Sequence, residues 1–318
     1  MRRFDHLNAT SIQEATSALK NKSAVFIAGG TDLIGRLKDE ILPGYPELIV
    51  NLKTIQGLDY VHEEGGLLKI GAGTRLADIA ADPIVRLRYT ALGQAAGRAA
   101  SPHIRRMGTL GGNISQLHRC WYFRAPQNRF ECLRKGGKTC FALAGDNRYH
   151  SIFGAVNGCI AVHPSDTAPS LVALDARIKT TKRTIIAEDF WDVRVASCTV
   201  LDTDEIVTEV QIPAPDVGAR SAFVKFALRK SIDFPIVNAA VFVGGGAARI
   251  CLNAVAPKPY RATKAEQVIA GKSIDSRNTG AAGAAAVADS RPLEANRYKV
   301  QIAKVLVERA LLECASAA

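Results

Sequence analysis

A mixed helix-and-strand fold in two parts is predicted by three features of the sequence. Short helical and strand-like stretches alternate through the first third, a proline-bearing joint interrupts residues 212–222, and apolar strand candidates joined by a glycine turn follow it. In order, residues 11–19 have helical period, and residues 24–27 read as a strand that runs into the turn AGGTDL. Residues 47–51 and 67–71 are further strands. Residues 78–100, after GAGTRL, have helical period, with Leu76, Ile79, Ile84, Val85, Leu87, Leu92 and Ala96 as core contacts. The tight segment MGTLGGNIS comes next, then a cysteine-bearing stretch, then HPSDTAPSLVALDARIKTT, which reads as helix followed by strand. In the joint IPAPDVGARSA, two prolines in four residues disfavour both helix and internal strand, so the cut falls near Asp216, giving parts 1–215 and 216–318. Strands at 223–228, 236–243 and 248–256, the last two joined by GGGA as a hairpin, predict a small antiparallel sheet. Helices at 280–288 and 296–314 close the chain, the last with Val300, Ala303, Val307, Ala310 and Leu311 on its apolar face.

The 318 residues, 47% of them hydrophobic, suffice for substantial cores. No run approaches the roughly 20 apolar residues that span a bilayer, and MRRFDHLNAT lacks the apolar centre of a secretory signal. The expected location is therefore the cytoplasm, with the periplasm reached only by co-export with a signal-bearing partner. A net charge of +11 favours anions, but no helix-turn-helix, zinc-finger or RNA-binding signature accompanies it, so no nucleic-acid partner is expected. Much of the excess lies between Arg119 and Arg148, where Arg119, Arg124, Arg129, Arg134, Lys135, Lys138 and Arg148 face only Glu131 and Asp146.

Two segments have the make-up of anion-binding turns: AGGTDL (28–33) and TLGGNI (109–114). Paired glycines let backbone N–H groups converge on an anion without Cβ obstruction, and a neighbouring threonine adds a hydroxyl donor. Two such turns could hold the two phosphates of a dinucleotide, although either alone is also the make-up of a plain turn. Neither matches GxGxxG, which disfavours a Rossmann domain.

Seven cysteines occur, and Cys120, Cys132, Cys140 and Cys159 share one 40-residue window. Their separations of 11, 7 and 18 residues include no CxxC knuckle. On spacing alone an iron–sulfur cluster, structural zinc and unrelated buried thiols all remain open. Cys198, Cys251 and Cys314 have apolar neighbours and read as small core residues. His118, His150 and His163 lie near this stretch without spaced partners and read as hydrogen-bonded structural residues.

The ordered series FIAGGTDLIGRLK, PELIVNL, LKIGAGTRLADI, IRRMGTLGGNI, HPSDTAPSLVALDA and LNAVAPKPYRATKAE resembles the FAD-binding medium subunits of the xanthine dehydrogenase and carbon monoxide dehydrogenase family, the molybdenum hydroxylases. The likeness covers nearly the whole chain. It implies an α+β fold: a two-subdomain FAD-binding domain of the vanillyl-alcohol oxidase (PCMH) type at 1–215, then a small C-terminal domain at 216–318. Carried over by position, Ile27, Ala28, Gly29, Gly30, Thr31, Asp32 and Leu33 would cradle the FAD diphosphate, with Thr109, Gly111, Gly112 and Asn113 as the second wall. Asp166 would hold the ribityl or phosphate region and Lys225 would approach the isoalloxazine edge, where a cation suits reduced flavin. Lys225 could equally be a solvated strand residue, and Asp166 shares with Ser165 the position expected of a helix N-cap.

The stretch at about 118–160 is an insertion relative to most such subunits. It resembles those of the periplasmic aldehyde oxidoreductases and, more distantly, of 4-hydroxybenzoyl-CoA reductase, whose medium subunits hold a [4Fe-4S] cluster. The resemblance implies Cys120, Cys132, Cys140 and Cys159 as cluster ligands, with Trp121, Tyr122 and Phe123 shielding the cluster from water. The implied function is electron relay: substrate is oxidised on a large molybdopterin-binding partner, a small [2Fe-2S] subunit passes electrons on, and this chain delivers them to an acceptor. The basic collar would suit an acidic carrier such as a ferredoxin. Rival readings are a reductase-like complex running electrons inward, a standalone flavin oxidoreductase, and a zinc-stabilised scaffold. No acid–base residues of its own mark a catalytic site, and the substrate of the complex lies outside this sequence.

Overall fold

In the computed structural model, residues 1–19, 23–229 and 232–316 are described. The chain opens with a three-stranded parallel sheet in which Leu48–Asn51 lies between Asp5–Asn8 and Ala24–Ile27. Alternate side chains of the central strand face opposite cores: Val50 joins one with Ala15 and Ile206, and Ile49 the other with Leu33 and Leu37. The first helix is Ile12–Ala18, where Ser11 accepts the Glu14 N–H at 3.1 Å. Glu14 reaches back to the Thr10 N–H at 2.7 Å, so two otherwise orphaned donors are satisfied at the helix start.

A five-stranded antiparallel sheet follows, in the order Val61–Glu64, Leu67–Gly71, Val207–Pro213, Arg177–Thr180, Thr184–Ile186. The proline joint therefore begins inside a central strand. Pro213 is that strand's last residue, opposite Leu67, where the missing N–H disturbs no more than the end of the ladder. The helical stretch expected at 78–100 is three helices, Leu76–Ala81, Pro83–Arg88 and Thr90–Arg98. Asp82 takes extended backbone before Pro83 and caps the second helix by accepting the Val85 N–H. The break changes the helical phase, which is why Leu87, expected in the core, is 81% exposed while Leu76, Ile79, Val85, Leu92 and Ala96 are buried.

The C-terminal sheet is antiparallel, in the order Arg220–Phe226, Val237–Gly244, Ala247–Asn253, Tyr260–Arg261. Gly245 and Gly246 turn its central hairpin with φ of 58° and 76°, the left-handed values of a type I′ turn. Apart from Asn238, Val237–Gly244 is apolar without alternation because both faces are covered. Ala239 and Val241 pack toward Thr263–Ile269, Ser276–Ala286 and Tyr298–Ser316, whereas Ala240 and Phe223 join the core of the first part. The alanine-rich helix lies so close to the last helix that a Cβ on Gly283 would sit 2.6 Å from Lys304 O.

The cysteine-bearing stretch has little regular structure and leans on the C-terminal part. Asn296 donates to Ser151 O at 3.0 Å, Tyr298 donates to Arg148 O at 2.8 Å, and the buried Lys299 donates to His150 O at 3.0 Å and Ala254 O at 2.6 Å. With no acid beside it among the described residues, burial pushes the Lys299 ammonium down to about 7. Among the described residues no helix is long and apolar enough to cross a membrane.

Candidate functional site

The two glycine turns meet. A Cβ on Gly29 would lie 2.2 Å from Met107 O, so glycine is required there for the backbones to approach. Gly30 has φ of 71°, and Gly111 packs on Ala72. Thr109 caps the helix Leu110–Ser115 by accepting the Gly112 N–H at 3.2 Å. Between the turns runs a groove of about 290 Å³ lined by residues 27–33 with Thr109, Gly112 and Asn113. It continues across Phe26, Ala28, Thr109, Gly112 and Ser115 into an apolar recess of about 240 Å³ walled by Leu52, Ile55, Leu58 and Ile206. Gly111 lies in the wall of that recess rather than of the groove. Among the described residues no hydrogen bond of the chain uses the N–H of Gly29, Gly30 or Thr31, so these donors are free to meet an anion.

Asn113, Ser165 and Thr167 form one knot: the Ser165 and Thr167 hydroxyls donate to Asn113 Oδ1 at 2.6 and 2.7 Å. Ser165 also accepts the Ala168 N–H at 3.1 Å, so Ser165, not Asp166, caps the helix Thr167–Ala173. Asp166 is thereby released into the groove wall. It accepts from Lys225 Nζ at 2.8 Å and from Asn238 Nδ2 at 2.7 Å. Both members of the pair are buried, with side chains 7% and 5% exposed, so Lys225 is not a solvated strand residue. Burial pushes the Asp166 carboxyl up, and the pull of Lys225 only partly offsets it.

Asp32 is not free to meet a ligand as the sequence suggested, because its carboxylate accepts from Arg124 Nη2 at 2.6 Å and from the Leu117 N–H at 3.2 Å. Arg119 Nη2 lies 2.9 Å and Arg36 Nε 3.3 Å from it. Burial pushes Asp32 up, but Arg124, Arg119 and Arg36 together outweigh this and hold it below its usual value. Arg36 and Arg119 line the groove, and sequence reasoning named neither as a ligand contact. The available signal was faint: Arg119 was visible only as one member of a basic run.

Cys120, Cys132, Cys140 and Cys159 all line one apolar pocket, with Tyr122, Phe123, His150, His118 and Arg134. Burial raises the Cys120 thiol to about 12, and neighbouring Cys159 and Cys132 add to the shift. Among the described residues no three His, Cys, Asp or Glu side chains converge closely enough to hold one metal ion. Trp121, expected to shield this pocket, is 39% exposed and lines an outer cavity instead. His150 Nε2 lies 3.2 Å from Cys120 Sγ. Cys198 is a buried core residue as expected, and its sulfur also lies 3.0 Å from His118 Nδ1 and accepts from Arg134 Nη2 at 3.4 Å, while His118 Nε2 lies 2.9 Å from Pro257 O.

The basic run is not an external collar. Arg119 and Arg124 are committed to Asp32, and Arg134 and Lys135 are buried, each 4% exposed. Arg134 donates to Arg194 O at 2.7 Å and to His118 Nδ1 at 2.6 Å, and Lys135 Nζ is buried without a hydrogen-bond partner. Arg129, Lys138 and Arg148 alone of the seven are exposed, which removes most of the charge available for docking an acidic carrier.

Residues 2–215 match the family model described as the FAD binding domain in molybdopterin dehydrogenase, and residues 222–314 match the CO dehydrogenase flavoprotein C-terminal domain. The chain belongs to the FAD-binding medium subunits of the molybdenum hydroxylases. Among relatives of these medium subunits, the aldehyde oxidoreductase FAD-binding subunit PaoB of Escherichia coli (strain K12) is 33% identical over 98% of this chain and 97% of its own. The carbon monoxide dehydrogenase medium chain of Hydrogenophaga pseudoflava is 28% identical over 97% and 96%. A solved carbon monoxide dehydrogenase from Hydrogenophaga pseudoflava superposes with a TM-score of 0.76 at 26% identity, covering 99% of this chain and 98% of that one. The chain is thus an oxidoreductase flavoprotein subunit with the α+β medium-subunit fold.

Proposed function

We propose that this chain relays electrons inside a multi-subunit molybdenum hydroxylase, holding FAD in the groove and a [4Fe-4S] cluster on Cys120, Cys132, Cys140 and Cys159. The observation that carries the reading is one peptide bond: Arg119 lines the flavin groove and Cys120, the next residue, lines the sulfur pocket. FAD would exchange electrons in pairs or singly, which suits a relay to one-electron centres. The free N–H groups at Gly29, Gly30 and Thr31 would receive its diphosphate, the knot at Asn113 would brace the second wall, and Lys225 would act through Asp166, the groove-lining carboxylate that it holds.

Two features support an anionic cluster in the pocket. Arg134 and Lys135 are buried cations with no carboxylate partner among the described residues, a costly arrangement unless a negative group lies beside them. All four thiols also line that one pocket, and a cubane takes each thiolate on a separate iron. Single zinc needs four ligands at about 2.3 Å. Substrate oxidation would belong to a large molybdopterin-binding partner, with a small [2Fe-2S] subunit between; relatives named as medium chains and FAD-binding subunits support that assembly. The part boundary would fall near Asp216, where a turn closes by the Ala219 N–H donating to Asp216 O.

The test is metal analysis of anaerobically prepared protein. Iron and acid-labile sulfide should each approach about four per chain, and Cys132→Ser should abolish the paramagnetic signal of the reduced cluster. Stoichiometric zinc without iron would overturn the cluster.

A further inference from the structure

The groove and the sulfur pocket are joined by a strut of charged side chains. On the groove side stands Asp32, at the head of the helix Leu33–Lys38. Toward the pocket stand Arg119, which precedes Cys120, and Arg124, the last residue of the short helix Trp121–Arg124. Arg124 also donates to His118 O at 2.8 Å and to Leu117 O at 2.9 Å, so it fixes the backbone that leads into Cys120. Arg119 lies 4.8 Å over the ring of Phe234, which walls both the groove and the outer cavity beside Cys120.

The charges do not balance. Three guanidiniums surround one carboxylate in a setting where the side chains are 15–27% exposed. Arg36 Nε and Arg119 Nε are both buried without a hydrogen-bond partner. Arg36 and Arg119 line the groove, but Arg124 does not. Excess positive charge beside a groove whose floor offers free N–H groups is the arrangement that receives a diphosphate.

We propose that Arg119, held by Asp32 and Arg124 as positioning residues, contacts the diphosphate of the bound dinucleotide, so that flavin binding and ordering of the cysteine stretch are thermodynamically linked. The inference rests on the electron-relay reading for the identity of the two cofactors. By reciprocity, any factor by which an ordered sulfur pocket raises affinity for FAD is the factor by which FAD stabilises the pocket's contents. The geometry therefore removes the independence that separate sequence segments would suggest.

The experiment titrates flavin-free full-length protein with FAD and, separately, with riboflavin, which lacks the diphosphate, following flavin fluorescence. Arg119→Met should weaken FAD at least about tenfold and leave riboflavin within about twofold, while Arg119→Lys should recover part of the loss, since a point charge replaces a fork. Arg124→Met, outside the groove, should weaken FAD severalfold. FAD affinity within twofold of the parent in Arg119→Met, or equal loss of FAD and riboflavin, overturns the contact. For the linkage, a ferrous chelator should capture iron more slowly from parent protein with FAD than without, and Arg119→Met should lose that protection; a capture rate indifferent to FAD overturns it. The titration needs no iron, so a chain that proves to hold no cluster would refute the relay reading while the FAD arm still decides the contact.

Discussion

Replacing Lys225 by methionine removes the cation from a pair that is almost wholly buried and leaves Asp166 with Asn238 as its remaining side-chain donor. Breaking a buried pair from one side costs about 3–5 kcal/mol, because the other charge stays desolvated. The pH dependence gives a sharper test than the size. The Asp166 carboxyl is already pushed up by burial in the folded chain, and Lys225 is the largest influence opposing that. A carboxyl whose folded pKa exceeds its unfolded value makes the folded state hold the proton longer, so its contribution to stability falls as pH rises between those two values. Removing Lys225 widens this window upward. The deficit of the variant should therefore be small near pH 5 and grow toward pH 8, by up to about 1.4 kcal/mol per unit inside the window. Urea unfolding of the flavin-free chain, followed by the fluorescence of the buried Trp191, measures it at each pH. The double change Asp166→Asn with Lys225→Met should recover most of the loss. A deficit of the same size at pH 5 and pH 8, or none at either, would refute the reasoning.

Gly29→Ala places a Cβ 2.2 Å from Met107 O and should cost about 1–3 kcal/mol and most of the flavin, whereas Gly112→Ala meets only Thr109 Oγ1 at 3.1 Å and should cost less; comparison of flavin content and urea midpoints separates them. Ser165→Ala removes both a helix cap and a donor to Asn113, and should lower stability by about 1 kcal/mol or more with weakened FAD retention on gel filtration. Lys299 has a folded pKa lowered from 10.5 to about 7, so between those values the unfolded state holds a proton that the folded state lacks, and this lysine makes stability rise with pH. Lys299→Met should flatten that part of the stability profile; an unchanged slope from pH 7 to 10 would show that the ammonium is not desolvated.

Local chemistry made much of this fold legible. Residues 24–27 and 67–71 are strands with the bounds their apolar runs suggested, and Thr109 and the two glycine turns come together along one groove. What the sequence hid were consequences of tertiary placement. Periodicity ran unbroken through Asp82, so Leu87 read as a core residue, although the Pro83 restart turns it to solvent. Val207–Pro213 escaped notice because Pro213 and the nearby Pro215 argued for a loop, yet Pro213 needs no ladder partner at the strand's end. The run of basic residues could not reveal which side chains would turn inward. Sequence distance between Asp32 and Arg124 gave no sign that one carboxylate would organise three arginines.

The sulfur pocket has an order of assembly written into its hydrogen bonds. The segment that carries His150 beside Cys120 is fastened by Asn296 and Lys299, and Lys299 lies 149 residues after the carbonyl it grips at His150. During synthesis the four thiols emerge long before the helix that secures this wall. A protein truncated before Asn296 would lack every one of these hydrogen bonds to the His150 segment.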